Sequence, residues 1–392
     1  MIKINEQNFS SNNMKYEILF NWNHLDWNFT DYKLQTEFYK KQYWKKCIPS
    51  CIKLDKQGNF YVSVPRWAKG IPATMNKIVI KENKPLLEAF PNWEWNKIGN
   101  SMTLQSVLGY EIDEFNRMWL LDQGHINSAP SLDGSQKLVC WDLTKNELVE
   151  SIQIPNEIAS YQASLLNDLV VDNKNGYIYI TDSGMYGNPV EGGIIIYNMK
   201  TKQFRRVLHQ HKSTQDYPNF TFTVNGKSVW ENNPIKVGAD GIALSADRSI
   251  LYYCPLTGRN LYSIHTDFLK NFETSLQNIE ENVKFIGNKY TNTDGMAADN
   301  MGNIYYTMIE NQGIGMYNPK DSEFKKVIFD NRMLWVDSIS FDNRGNLIFS
   351  TNRINEVLAA NDEIDWEYQY NFIVWKMFIG ENVKSYLYHS DF

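Results

Sequence analysis

The chain has 392 residues, 43% of them hydrophobic and 14% aromatic, which is ample for a large core. Its formal net charge of −6 argues against a nucleic-acid partner, which calls for a basic face. No apolar run approaches the length of a membrane span, so no membrane partner is expected.

Residues 1–15 are polar and Asn-rich and read as an N-terminal extension. They contain no apolar h-region of a secretory signal, which points to the cytoplasm unless the chain is a processed form. The first predicted strand is residues 16–22. Six hairpin signatures follow, beginning Asp55-Lys-Gln-Gly-Asn-Phe-Tyr, Asp113-Glu-Phe-Asn-Arg-Met-Trp, Asp172-Asn-Lys-Asn-Gly-Tyr-Ile, Ser245-Ala-Asp-Arg-Ser-Ile-Leu, Asp299-Asn-Met-Gly-Asn-Ile-Tyr and Asp342-Asn-Arg-Gly-Asn-Leu-Ile. Each is a short apolar strand, a tight Asp/Asn/Gly turn, then a strand rich in aromatic and β-branched residues. Copies roughly 45 to 75 residues apart indicate one supersecondary unit repeated along the chain.

The repeats predict an all-β fold, a six-bladed β-propeller closed by an N-terminal strand, spanning residues 16–392 without a linker. A solenoid has much shorter repeats, and a sandwich does not repeat one four-stranded unit. Closure removes sheet edges, so residues 16–22 should complete the blade begun at 337–351, beside a strand at 371–378. Between 200 and 237 lies a polar insertion with an Asn225-Gly226 turn, read as a hairpin. Residues 267–281 carry Phe268, Leu269, Phe272, Leu276 and Ile279 at helical spacing and read as a short helix.

The four cysteines, Cys47, Cys51, Cys140 and Cys254, show no disulfide framework. Cys47 and Cys51 flank Pro49, so a turn could pair them; buried free thiols are the other reading. Asn8, Asn28 and Asn219 open glycosylation sequons, which arise by chance in an Asn-rich chain.

One position recurs five residues before each turn: Ser50, Leu108, Asn167, Asp240, Asp294 and Asp337. It lies at the start of each inner strand, so Asn167, Asp240, Asp294 and Asp337 should converge on one channel mouth. Carboxylates brought together in low dielectric repel and need a cation or protons. Hard oxygen ligands suit Ca²⁺ or Mg²⁺, with these four as metal ligands. Ser50 and Leu108 are not acidic, so such a site would be one-sided. The alternative is that each Asp only caps a turn through backbone N–H groups.

Further motifs carry a family resemblance. Val62-Ser-Val-Pro-Arg66-Trp67-Ala-Lys-Gly70-Ile-Pro72-Ala-Thr74, Pro91-Asn-Trp93-Glu94, Arg117-Met-Trp119-Leu-Leu-Asp122-Gln-Gly124, Tyr179-Ile-Thr181-Asp182-Ser183-Gly184 and Gly238-Ala-Asp240-Gly241 occur in the order seen in the major royal jelly protein/yellow family. The chain resembles that family from about residue 16 to 374. The ring pattern is also similar, more distantly, to gluconolactonase/regucalcin-type propellers, where an Asn and an Asp bind a divalent metal. The resemblance implies the propeller strongly and the chemistry weakly. It implies an extracellular, secreted protein and a dopachrome-tautomerase-like or lactonase-like reaction as one reading.

Other candidates were weighed against bland roles. Asp182 and Ser183, with Asp122, end second strands near the channel. Glu111 points toward the channel or into the blade, and a core or surface place is the favoured reading. Trp67 and Arg66 stand in the strongest motif, read as a ligand contact or as a packed Trp beside an Arg paired to an acid. Asn352 and Arg353 could face a ligand opening. His125 follows the Asp122 turn and is a candidate general base with Asp240 and Asp294 as catalytic partners. His209 and His211 lie in the variable insertion and lack zinc spacing. No Gly-X-Ser-X-Gly elbow, Walker loop or dinucleotide fingerprint is present.

Three functions stay open: a cation-assisted isomerase or lactonase, a non-catalytic binding protein for small amines or lipids, and a protein-interaction scaffold. A small-molecule ligand and a monomeric state are expected for the first two.

Overall fold

Each repeat is punctuated by the same local device. In the first, Asp55 Oδ1 accepts the backbone N–H groups of Gln57 (3.0 Å) and Asn59 (2.8 Å), and Oδ2 accepts Asn59 Nδ2 (2.8 Å). Asp299 and Asp342 repeat this Asx turn with Asn303 and Asn346. The turn requires a left-handed residue, supplied by Gly58, Asn116, Gly176, Gly302 and Gly345. Arg248 holds that conformation in the fourth repeat (φ 68°), anchored by its guanidinium 4.4 Å from the Tyr386 ring.

The computed structural model describes residues 15–358 and 364–389. Six four-stranded antiparallel sheets form six blades. Blade 1 holds Ile52–Leu54, Phe60–Ser63, Met75–Lys81 and Lys84–Ala89, innermost strand first. Blade 2 is Val107–Ile112, Arg117–Asp122, Lys137–Asp142 and Glu147–Gln153; blade 3 is Leu166–Asp172, Tyr177–Asp182, Gly193–Asn198 and Gln203–Val207. Blade 4 is Ala239–Leu244, Ile250–Pro255, Asn260–His265 and Lys284–Asn288; blade 5 is Met296–Ala298, Ile304–Met308, Gly313–Asn318 and Glu323–Phe329. Blade 6 takes Val336–Phe341, Asn346–Thr351 and Phe372–Phe378 from the C-terminal part and Tyr16–Trp22 from the N-terminal part. That is the closure expected from the sequence, and it leaves no unpaired edge on the Phe372–Phe378 strand.

Four short helices accompany the blades: α1 (Tyr32–Lys40), α2 (Thr266–Lys270), α3 (Leu276–Glu281) and α4 (Ile354–Val357). The single helix expected at 267–281 is two, because Ser275 caps a fresh start through its hydroxyl to Asn278 N. The insertion forms the expected hairpin, Phe222–Val224 with Lys227–Val229. All four cysteines are buried free thiols. Most of the N-terminal extension and the Asn8 sequon lie outside the described residues.

The channel is blind at one end. Ser385–Tyr388 returns beneath the turns, where Tyr386 OH bonds Val171 O (3.0 Å) and Arg248 Nη1 bonds Tyr386 O (2.7 Å). Above this plug lies a small chamber of about 30 Å³ with Lys53, Glu111 and Asp168 among its walls.

Candidate functional site

At the opposite, open end, Asn167, Asp240, Asp294 and Asp337 all line one cavity of about 160 Å³. A β-bulge aims Asn167, Asp240 and Asp337 there. The inner strands of blades 2, 3, 4 and 6 each lose register at the recurring position, between Val107 and Tyr110, Leu166 and Leu169, Ala239 and Ile242, and Val336 and Ile339. Such a bulge kinks the strand and re-aims a side chain. Neighbouring inner strands also come very close. A Cβ at Gly241 would sit 2.6 Å from Asp294 O, and one at Gly295 would sit 2.5 Å from Asp337 O. The glycines after Asp240 and Asp294 are therefore what lets the carboxyl groups converge.

The carboxyl groups are held by side-chain donors of the mouth. Asn167 Nδ2 donates to Asp240 Oδ2, Trp335 Nε1 to Asp294 Oδ2 and Asn352 Nδ2 to Asp337 Oδ2, each at 2.7 Å. These are not the backbone caps of the bland reading. Asp240 and Asp294 stand close enough that each perturbs the other's titration. Burial, then the negative charge of Asp294, pushes Asp240 well above the usual carboxylate range. The same causes raise Asp337. Burial lifts Asp294 to about 7, and Asp168 in the chamber below to about 6. The floor of the cavity thus gathers carboxyl groups whose titration is raised by burial and by one another's charge.

That arrangement does not fit the divalent cation expected from the sequence. Among the described residues no three His, Cys, Asp or Glu side chains form a group able to hold a metal ion. Each ring carboxyl commits one oxygen to an N–H donor.

Residues 105–382 match the family model described as major royal jelly protein. The chain belongs to the major royal jelly protein family. It is 28% identical over 341 residues to major royal jelly protein 3 of Apis mellifera, covering 80% of this chain but 57% of that protein. It is 30% identical over 320 residues to major royal jelly protein 9 of the same species, covering 77% of this chain and 70% of that one. Among solved structures, a luciferin-regenerating enzyme superposes with TM-score 0.52 at 14% identity, covering 86% of this chain and 92% of that one. A putative gluconolactonase gives 0.52 at 11%, covering 95% and 94%. At these identities the likeness shows the propeller fold alone.

Within this royal jelly family propeller, Trp67 and Leu108 join the ring residues on the cavity wall. Ser183 supports Asn167, whose Nδ2 lies 3.2 Å from its Oγ. Several other candidates serve the frame. Asp182 accepts Ser164 Oγ, Leu165 N and Gly184 N and pairs with Arg206 (2.6 Å), so it clamps backbone away from the cavity. Asp122 does the same in blade 2 with Gln105 N, Ser106 N and Lys137. His125 is no base at the channel: its ring nitrogens lie 2.7 Å from Ala129 O and Ser164 O, and burial lowers its pKa. Its ring instead backs Tyr186 of the cavity wall (4.5 Å). Arg353 pairs with Glu356 (2.8 Å) and lies over Tyr368 rather than facing the opening. Arg66 donates to five backbone carbonyls, not to an acid, and burial lowers it to about 10. Glu111 does face the channel, paired with Lys53 (3.2 Å) in the lower chamber.

Sequence reasoning missed Trp335, Trp230, Tyr186 and Leu165 on the cavity wall. A signal existed for two of them. Leu165 and Trp335 each stand two residues before a ring position, directly ahead of the inner strands that begin at Leu166 and Val336. Trp335 is also held at φ 42°, a costly backbone for a bulky residue and one that marks functional or over-determined positions. Its ring stacks on Phe222 (5.7 Å) and meets Trp230 edge-on (5.6 Å), which docks the inserted hairpin over the mouth. Trp230 and Tyr186 lie in loops with no periodic signature.

Proposed function

We propose that this cavity binds a small aromatic or apolar molecule whose basic or hydrogen-bond-accepting group meets the Asp240–Asp294 pair. The observation that carries the reading is the shared lining: three carboxyl groups and the rings of Trp67, Tyr186, Trp230 and Trp335 face one space. Apolar walls with a few convergent polar groups and perturbed acids are the usual form of a small-molecule site. A ligand ammonium would meet these carboxyl groups and lie against tryptophan faces.

An isomerase is the second reading, favoured by the titration of Asp294 at about 7. A neutral acid beside an ionised one can give a proton to one ligand atom and remove one from another, which is what a dopachrome-like tautomerisation needs. A lactonase reading has support only from the fold of its distant solved neighbours. Membership of the royal jelly family supports an extracellular setting.

The test is native mass spectrometry and calorimetry on the purified protein with aromatic amines, neutral aromatics and lipids, alongside dopachrome consumption. Binding of an aromatic ligand that weakens at least tenfold in Asp240→Asn would support the reading. Turnover lost in Asp294→Asn with binding retained would favour the isomerase. Ligand binding unaffected by either change would refute both.

A further inference from the structure

The segment that leads into blade 1 carries a surface unconnected with the cavity chemistry. Between Tyr32 and Lys46 stand Lys33, Lys40, Lys41, Lys45 and Lys46 against a single acid, Glu37, in a chain of net charge −6. Helix α1 turns its apolar side inward: Phe38 is 1% exposed and meets Trp27 and Phe29 at 5.5 and 5.3 Å. Lys33, Lys40 and Lys41 are exposed, and the next turn, Tyr43–Lys46, continues the track with Lys45 Nζ 5.5 Å from the Trp44 ring. Among the described residues, none of the five lysines makes an ion pair. The track precedes the first strand of blade 1 in the chain. It leads to Ser50 at the blade 1 ring position, and Tyr43 packs on Gly70, three residues beyond Trp67 of the cavity wall.

We propose that this lysine track is a docking surface for a linear sulfated polysaccharide. Uncompensated lysines in a row attract a polyanion by releasing its condensed counterions. An anionic membrane is a poorer fit, because an interfacial helix must sink an apolar face into the lipid and α1 has its apolar side packed on Trp27 and Phe29. A nucleic-acid duplex is broader than one helix, and the rest of this acidic chain repels it. A single sugar chain is narrow enough to follow the track, and its ring faces suit the exposed Tyr32 and Tyr39 rings at either end of α1 (82% and 39% exposed).

Heparin is the probe. The full chain should be retained on immobilised heparin at about 0.15 M salt, the physiological ionic strength, although its net charge is negative. Changing Lys33, Lys40, Lys41 and Lys45 together to Gln should weaken heparin affinity at least about tenfold and flatten its salt dependence. The same change at exposed Lys284, Lys320 and Lys326 should leave both unaltered, and both variants should melt with the parent. Failure of the parent to bind, or equal loss in the two variants, overturns the proposal. Tighter binding of the parent to phosphatidylserine vesicles or duplex DNA through the same lysines overturns the choice of polysaccharide.

Discussion

Replacing Asp294 by Asn should stabilise this protein, but only at high pH. A carboxyl lifted from the ordinary 3.8 to about 7 holds its proton more tightly in the folded chain than in the unfolded one. Its stabilising contribution is therefore complete below the unfolded value, is lost as pH rises and is gone above about pH 7. At about 1.4 kcal/mol per pK unit, the cost of ionising it in the fold is on the order of 4 kcal/mol. Because Asp240 and Asp294 perturb each other's titration, about 2–4 kcal/mol is the fairer figure for one residue. The Asn side chain is neutral at every pH, keeps a carbonyl oxygen for Trp335 Nε1 and offers an N–H to Asp240. At roughly 2 °C per kcal/mol for a domain of this size, Asp294→Asn should melt about 4–8 °C above the parent at pH 8. At pH 5 the two should melt together within about 2 °C. Calorimetric melts of both proteins at the two pH values give the comparison. An offset that is the same at both pH values would refute the account of a raised Asp294 carboxyl, as would a variant less stable than the parent at pH 8.

Four further outcomes are expected. Trp335→Phe removes the indole N–H from Asp294 Oδ2; Asp294 should then titrate higher still, as carboxyl-selective infrared or NMR titration would show, with stability lower by about 1–3 kcal/mol in denaturant melts. Asn352→Ala strips the donor from both Asp337 Oδ2 and Pro49 O and should cost about 1–3 kcal/mol by the same measurement, without changing the titration of Asp294. A thiol reagent should find no reactive cysteine in the native protein and four after denaturation, and a chelator should leave the melting temperature in place.

The Asx turns were legible because they are local: an Asp, a left-handed Gly or Asn and the following strand lie within a few residues, so the chain alone sets their geometry. Six of them gave the blade count, and the recurring position five residues earlier gave Asn167, Asp240, Asp294 and Asp337 as one group. The strand Tyr16–Trp22 could be assigned to the last blade because an open sheet edge is costly in any sequence. What the repeats could not determine was which side chains meet across blades. Asp182 and His125 sit at strand ends just as the ring residues do, yet Arg206 and two backbone carbonyls claim them. The mutual perturbation of Asp240 and Asp294 depends on distances set by the packing of neighbouring blades at Gly241 and Gly295. The aromatic wall comes from loops and an inserted hairpin whose docking rests on Phe222, Trp230 and Trp335. Ring-on-ring packing of that kind has no sequence period, so only the folded chain brings those residues together.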